Sequence, residues 1–178
     1  MRLIVISGHA QHGKDTIGQL MKERLERDGH SVLITHYADL LKFICRSYFG
    51  WDGEKNEYGR SLMQHVGTDI IRNQDENFWV DFIAKILKWF HPTWEYVIIP
   101  DCRFKNEIYR FEEQGFDVTH VRVERIPAPQ TLTAEQAKHP SETELDDVSP
   151  DFLIINRGGI QDLTERVETF IEEKLYER

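Results

Sequence analysis

Lys14 ends a loop, Gly8–Gly13, that is bounded by two glycines and follows the apolar run Leu3–Ile6. In a loop of this spacing, backbone N–H groups cradle phosphates and the lysine reaches the β and γ oxygens of a nucleoside triphosphate. Apolar residues then recur at helical spacing from Ile17 to Leu25, which indicates a strand, a loop and a helix N-terminus. We therefore predict that the phosphates of a nucleoside triphosphate are bound by Gly8, His9, Ala10, Gln11, His12, Gly13, Lys14, Asp15 and Thr16.

Several members of this loop also have plainer interpretations. Asp15 stands where serine or threonine usually holds magnesium, so we expect it near the metal or facing the acceptor. Thr16 is also typical of an ordinary first helical turn, and His9 and His12 are also typical of solvated loop histidines. A glycine-rich turn without a ligand is the plainer interpretation of the whole loop.

A second carboxylate, Asp101, follows the apolar run Tyr96–Pro100. An acid directly after a buried strand is typical of a magnesium-holding position in nucleotide-binding proteins. Arg103 comes two residues later, where a cation can stabilise the transferring phosphoryl group or grip the acceptor phosphate. We predict Lys14, Asp15, Asp101 and Arg103 as catalytic residues, with Asp15 and Asp101 holding Mg²⁺ directly or through water.

Two further segments carry groups suited to a phosphorylated acceptor. Arginines grip a phosphate monoester bidentately, carboxamides and carboxylates can read a base edge or a hydroxyl, and an indole can stack on a base. Solvated helix residues and core packing of the indole are equally plausible. The predicted acceptor-binding residues are Arg60, Gln64, Asp69, Arg72, Trp79, Arg103, Ser141 and Glu142, and Arg125 joins the donor phosphates from a lid together with Arg122.

The elements that must position these residues alternate between strands and helices. Strands are predicted at 2–7, 31–36, 96–99, 117–123 and 152–155, the fourth with one more polar face, and the first central and parallel. Helices are predicted at 15–28, 39–49, 60–72 with an interruption near Gly67, 75–90 with Phe82 and Phe90 in the core, 103–114 and 160–176, and a short helix is possible at 133–138. Alternation of this kind indicates an α/β sheet with ligands at the carboxyl ends of its strands. Residues 51–59 are predicted to be a loop in which Trp51 is exposed.

Composition narrows the class of protein. A chain of 178 residues suits one domain, spanning 1–178, with an acceptor-binding helical segment at about 50–92 and a lid-like loop at about 124–142. A formal charge of −9 argues against a nucleic-acid polymer as partner, since binding to its backbone needs clustered Lys and Arg. Cys45 and Cys102 have no metal-site spacing, so we expect a reducing, cytoplasmic setting. No apolar run is long enough to span a membrane, and no membrane partner is expected.

With these residues in view, the chain resembles the phage-type deoxynucleoside monophosphate kinases. The matching segments occur in the family's order and are SGHAQHGKDT (7–16), RSLMQHVGTDII (60–71), FW (78–79), IIPDCR (98–103), HPSE (139–142) and DFLIIN (151–156). The resemblance implies a P-loop NTPase fold, nucleoside monophosphate kinase-like, with a parallel five-stranded sheet and helices on both faces. It also implies transfer of the γ-phosphate of ATP to a deoxynucleoside monophosphate with magnesium, in the host cytoplasm if the protein is phage-encoded.

Two other functions compete with this interpretation. The GKD loop, the acid-x-arginine and the Ser-Glu pair also look like the animal-type phosphomevalonate kinases, whose acceptor is another small phosphate monoester. A guanine-nucleotide switch would carry an Asn-Lys-x-Asp motif, which this sequence lacks. The preferred base, the choice between ribose and deoxyribose and the oligomeric state, including a homodimer, are left open.

Overall fold

A five-stranded parallel sheet in the order β2-β3-β1-β4-β5 organises the chain. The computed structural model describes residues 1–54, 56–127 and 138–176. The predicted central strand is confirmed, since β1 pairs on one side with β3 and on the other with β4. The strands are β1 (Arg2–Ser7), β2 (Val32–Ile34), β3 (Tyr96–Ile99), β4 (Asp117–Arg125) and β5 (Phe152–Asn156).

Helices cover both faces of this sheet, as predicted. Side chains alternate along a strand, so β1 sends Ile4 and Ile6 to one face and Leu3 and Val5 to the other, all four fully buried. The helices are α1 (Lys14–Arg27), α2 (Ala38–Phe49), α3 (Glu57–Gln64), α4 (Phe78–Trp89), α5 (Asn106–Glu113), α6 (Pro140–Thr143) and α7 (Ile160–Phe170), and π-helical segments π1 (His65–Arg72) and π2 (Ile171–Tyr176) continue α3 and α7. The face with Ile4 and Ile6 packs on α1 and α7, and the face with Leu3 and Val5 packs on α4 and α5.

The predicted interruption near Gly67 takes the form of a change in helix type, because α3 ends at Gln64 and π1 follows without a break in the helical chain. A side chain at Gly67 would lie 2.7 Å from Leu41 Cδ2, so glycine here permits the close approach of α2. The indole of Trp79 donates to the Gly67 carbonyl at 3.2 Å. Gly67 therefore serves packing between helices rather than ending one.

Burial corrects two further expectations. Phe82 and Phe90 are 40% and 53% exposed, whereas Trp51 is 4% exposed and donates from Nε1 to the carbonyl of Glu54. The fourth strand has the predicted more polar face, which carries His120, Arg122 and Glu124, but His120 and Arg122 on it are buried. The predicted short helix at 133–138 lies almost wholly outside the described residues. Among the described helices, none combines the length and apolar character needed to cross a membrane.

His120 is the polar residue that β4 buries most unexpectedly. The ring is 3% exposed, and its Nε2 lies 2.7 Å from Ser7 Oγ. Its Nδ1 has no hydrogen-bond partner within the described ranges. Burial is the main reason that the pKa of His120 is lowered from 6.5 to about 4; the charge of Asp151 opposes this shift, and that of Arg122 adds to it.

This buried histidine predicts loss of stability in mild acid. The unfolded chain binds a proton on His120 below pH 6.5 while the folded chain resists it until about pH 4, so stability falls as the pH drops through this window. We expect the residue to contribute a loss of about 2 kcal/mol in the free energy of unfolding between pH 7.5 and pH 5. Urea titrations of wild type and His120→Gln measure it, with exposed His65→Gln as the matched control. Equal pH dependence in wild type and His120→Gln would contradict the prediction.

Candidate active site

The phosphate-binding loop joins β1 to α1 and is pressed against β4. Gly8 has a φ of 140°, and a side chain there would lie 2.3 Å from the Val123 carbonyl oxygen. Gly13, with a φ of 101°, precedes α1, and a side chain there would meet the Asn156 amide nitrogen at 2.8 Å. Only glycine fits both positions. The loop therefore delivers the N-terminus of α1, an anion-binding end of a helix, to the carboxyl edge of the sheet.

Lys14 folds back into this loop. Its Nζ donates to the carbonyls of Gly8 at 2.6 Å and His9 at 2.9 Å, and the residue is 9% exposed. Burial, with the neighbouring charge of Arg103, lowers the pKa of Lys14 to about 8. An anion entering the loop would reverse this shift, since it favours the charged ammonium.

The other predicted loop residues divide between exposed and buried positions. Gln11, Asp15 and Thr16 are exposed. His12 is 6% exposed, so the expectation of a solvated ring is wrong. Burial lowers the pKa of His12. Its Nδ1 lies 3.3 Å from both the Val123 carbonyl oxygen and the backbone nitrogen of Arg125. Arg125, predicted to bind the donor phosphates, is exposed, and its backbone lies beside the loop at His12.

Glu142 brings the loop and Arg103 together. One carboxylate oxygen accepts from the backbone N–H of Ala10 at 3.0 Å, and the other accepts from the Arg103 guanidinium. Arg103 also donates to the carbonyl of Ser141 at 3.2 Å. The Glu142 side chain is 8% exposed. Residues predicted from three distant segments therefore meet at the Glu142 carboxylate. This carboxylate accepts from the Ala10 N–H, a donor of the loop that is suited to phosphate.

Arg122 fastens the segment that carries Glu142. It is 8% exposed and donates to the carbonyl of Leu145 at 2.6 Å and to Asp146 Oδ1 at 2.7 Å. Its guanidinium therefore holds residues 145 and 146 within the fold, and the expectation that Arg122 clamps phosphates stays a prediction.

Asp101 and Asp15 both lie near His36. The Asp101 oxygens accept from the backbone N–H groups of Tyr37 and Ala38, each at 3.0 Å, and burial raises its pKa against these bonds. Asp15 Oδ1 lies 3.4 Å from His36 Nε2. The described residues hold no cluster of three or more His, Cys, Asp or Glu that could bind a metal alone. Magnesium commonly takes one or two carboxylates and completes its shell with phosphates and water, so this pair of acids fits the ion.

Arg72, predicted to bind the acceptor, is held by groups of the fold. It donates to Glu107 Oε1 at 2.6 Å, Asn106 Oδ1 at 2.9 Å and the carbonyl of Glu76 at 3.3 Å. Its guanidinium also lies 3.7 Å from the centre of the Phe104 ring. These contacts give Arg72 a structural role, and its role in binding the acceptor stays a prediction.

Trp79 is also unavailable to a base. It is 4% exposed in the core beneath π1 and meets the Phe78 ring edge to face at 4.9 Å. The core-packing interpretation holds for it. Arg60, Gln64 and Asp69 are exposed on α3 and π1, and Asp69 lies 3.2 Å from His65 Nδ1. In the described part of the chain, no hydrogen bond joins these three side chains to the loop.

Sequence reasoning missed Glu107. It is 2% exposed and accepts from the backbone N–H groups of Arg103 at 2.6 Å and Phe104 at 3.1 Å, in addition to Arg72. Burial raises its pKa to about 7. The available signal was an acid in the first turn of a helix, directly after a predicted catalytic arginine.

Comparison with known proteins now gives the family. Residues 44–167 match the sequence profile of the deoxynucleotide monophosphate kinase family. The chain belongs to this family. Membership confirms the resemblance inferred from the sequence, and the family's activity, phosphorylation of a deoxynucleoside monophosphate, is the one predicted.

Individual relatives differ in how much of their length they share. A candidate deoxynucleotide monophosphate kinase of Acanthamoeba polyphaga mimivirus is 24% identical over 97% of both chains. The deoxynucleotide monophosphate kinase of Enterobacteria phage T4 is 30% identical over 64% of this chain and 45% of its own. The chain thus spans less than half the length of this phage relative.

Other kinases are also similar. The phosphomevalonate kinase of Drosophila melanogaster is 26% identical over 87% of both chains. Among solved structures, the Mycobacterium tuberculosis APS kinase in complex with AMPPNP and APS aligns over 96% of this chain and 97% of its own, at 12% identity and a TM-score of 0.49.

The two predicted acceptor-binding arginines, Arg60 on α3 and Arg72 on π1, should differ in how much they stabilise the fold. Arg72→Met leaves the buried carboxylate of Glu107 without its cation, so we expect the free energy of unfolding to fall by about 3 kcal/mol. Arg60→Met, at an exposed position, should change it by less than about 0.5 kcal/mol. Urea denaturation at pH 8 measures both. Equal effects would show that the Arg72 pair is not a structural contact.

Proposed function

We propose that this chain transfers the γ-phosphate of ATP to a deoxynucleoside monophosphate at the point where the loop, Arg103 and Glu142 meet. The observation that carries this proposal is the Glu142 carboxylate, which accepts from both the Ala10 N–H and the Arg103 guanidinium. Phosphate oxygens are anionic acceptors that suit the same donors. A backbone N–H of the donor loop and the charged guanidinium of Arg103 thus converge on a single anion.

The donor triphosphate is assigned to the loop and the N-terminus of α1. Lys14 exchanges its two carbonyl partners for phosphate oxygens, because a charge-assisted bond to an anion is stronger than one to a neutral carbonyl. Glu142 leaves the Ala10 N–H when phosphate enters, since two anions cannot share that donor. Arg125, exposed at the end of β4, is placed to reach the same triphosphate from the side of His12.

The acceptor is assigned to the side of Arg103 and Ser141, with the exposed Arg60, Gln64 and Asp69 of α3 and π1 reading its nucleoside. An oxygen of the acceptor phosphate bonds to the γ-phosphorus while the bond from that phosphorus to the β–γ bridging oxygen breaks, releasing ADP. That attacking oxygen is already anionic, so no general base is needed. Arg103 neutralises charge on the group in transfer.

Asp15 and Asp101 are the residues that would hold Mg²⁺. When bound, the ion neutralises charge on the donor phosphates and orients them. Asp101 adds a second task, because its oxygens also anchor the first turn of α2. The cytoplasmic setting, the absence of a nucleic-acid partner and the homodimer left open by the sequence stay predictions.

The acceptor panel tests the activity directly. ATP with Mg²⁺ is supplied with dAMP, dCMP, dGMP, dTMP and phosphomevalonate, and ADP formation and the phosphorylated product are measured. We expect turnover with at least one deoxynucleoside monophosphate. In Lys14→Ala, kcat should fall by at least about 100-fold, because the cation that binds the donor phosphates is removed. Turnover with phosphomevalonate alone would replace this function with the second candidate, which the similarity to the Drosophila enzyme favours.

Asp15 should matter for transfer more than for binding. We expect Asp15→Ser to keep the Kd for ATP, measured by calorimetry without Mg²⁺, while kcat falls by about 10-fold or more because a metal-holding carboxylate is lost. Asp162→Ser, in α7, is the matched control and should leave kcat unchanged. Near-normal turnover of Asp15→Ser would show that the aspartate is incidental.

A further inference from the structure

Glu107 is a buried carboxylate at the start of α5, next to the loop that carries Arg103, and it has no access to a substrate. It is 2% exposed in the first turn of α5. Burying a charged group in this way is costly unless hydrogen bonds and an opposite charge compensate for it. The partners that compensate for Glu107 therefore indicate what the residue does.

Two of these partners are backbone groups of the catalytic loop. Glu107 Oε2 accepts from the N–H of Arg103 at 2.6 Å and from the N–H of Phe104 at 3.1 Å. Two bonds to consecutive N–H groups fix the backbone at the residue whose side chain reaches Glu142. The backbone of Cys102 is held in turn to β1, because its N–H donates to the carbonyl of Ile6 at 3.2 Å.

The third partner comes from the predicted acceptor-binding segment. Arg72, at the end of π1, donates to Glu107 Oε1 at 2.6 Å and lies over the Phe104 ring. One carboxylate thus joins π1 to the loop that carries Arg103. A displacement of π1 would pull on the carboxylate that fixes the Arg103 backbone.

The first turn of α5 is also connected to Asp101, the acid two residues before Arg103 in the chain. Tyr37 donates from its hydroxyl to the Glu107 carbonyl at 2.8 Å, while its backbone N–H donates to Asp101. Asp101, Arg103 and Glu107 are therefore fixed in one frame by α2, π1 and α5. A helix cap that served α5 alone would not need these connections.

We infer that Glu107 is a positioning residue for Arg103, and that with Arg72 it links the acceptor-binding segment to the arginine at the transfer point. The inference rests on the proposed function, which places Arg103 on the transferring group. Glu107 touches no reacting atom and acts through the backbone that it holds.

The decisive test is a double-mutant cycle with Arg103. Glu107→Gln keeps the size of the side chain and removes its charge, and we expect kcat to fall about 10- to 100-fold while KM for ATP changes less than about twofold. In an Arg103→Ala background, the same substitution should lower kcat by less than about twofold, because the group it positions is absent. Equal losses in the two backgrounds would overturn the inference.

Two controls separate positioning from loss of stability. Glu113→Gln removes an exposed acid from the same helix, and Val167→Ala weakens the opposite core in α7; both should leave kcat unchanged at a temperature where all variants are folded. If Glu107→Gln does not fold, Arg72→Lys replaces it in the cycle, since it keeps the charge but loses the planar fork. An additive result with Arg72→Lys would likewise overturn the inference.

A second measurement does not need activity. The ¹⁵N resonances of the Arg103 backbone and Nε should shift in Glu107→Gln and stay in place in Glu113→Gln. Absence of transfer by wild type to every acceptor in the panel would refute the proposed function, while the resonances would still decide the placement of Arg103. Unchanged Arg103 resonances would refute the positioning role alone.

Discussion

The close contact between the phosphate-binding loop and β4 is the constraint on which the rest of the site depends. Gly8 leaves no room for a side chain beside the Val123 carbonyl, and His12 lies against the same oxygen. This contact sets the position of the loop relative to the sheet. The parallel pairing of β1 with β3 then brings Asp101 and Arg103 to the same edge, because the carboxyl ends of parallel strands lie together.

Charge balance then decides how that edge is arranged. Besides burial, the charge of Arg103 lowers the pKa of Lys14, and the charges of Glu142, Asp15 and Asp101 oppose that effect. Two cations at this edge demand negative charge, and Glu142, which bonds to Arg103, supplies part of it. The same demand makes the edge suitable for phosphate, which carries more negative charge than a carboxylate.

The arginines show how burial divides residues of one type between structure and function. Arg72 and Arg122 each satisfy several donors inside the fold, at Glu107 and at residues 145 and 146 respectively. Arg103 instead extends to the mouth of the loop, while only its backbone is held by Glu107. A guanidinium is too costly to bury without partners, so an arginine that supports the fold is bound on several sides.

The sequence by itself determined the loop, the five strands and the edge of the sheet at which ligands are expected. These follow from local patterns: glycine spacing, apolar runs and helical periodicity act over a few residues. It also placed Lys14, Asp15, Asp101 and Arg103, because each directly follows a strand or its loop. Local pattern was not enough for β4, because it predicted the more polar face but not that His120 and Arg122 on that face are buried.

Only the tertiary structure decided which charged groups meet. Arg72 reaches Glu107 across 35 residues, and the Ala10 N–H reaches Glu142 across 132. No periodicity connects residues so far apart, and the exposed appearance of Arg72 in a polar helix gave no sign that its partner lay in the core. The fold gave a predicted phosphate ligand a structural contact to the loop that carries Arg103, because a buried carboxylate such as Glu107 needs a cation beside it.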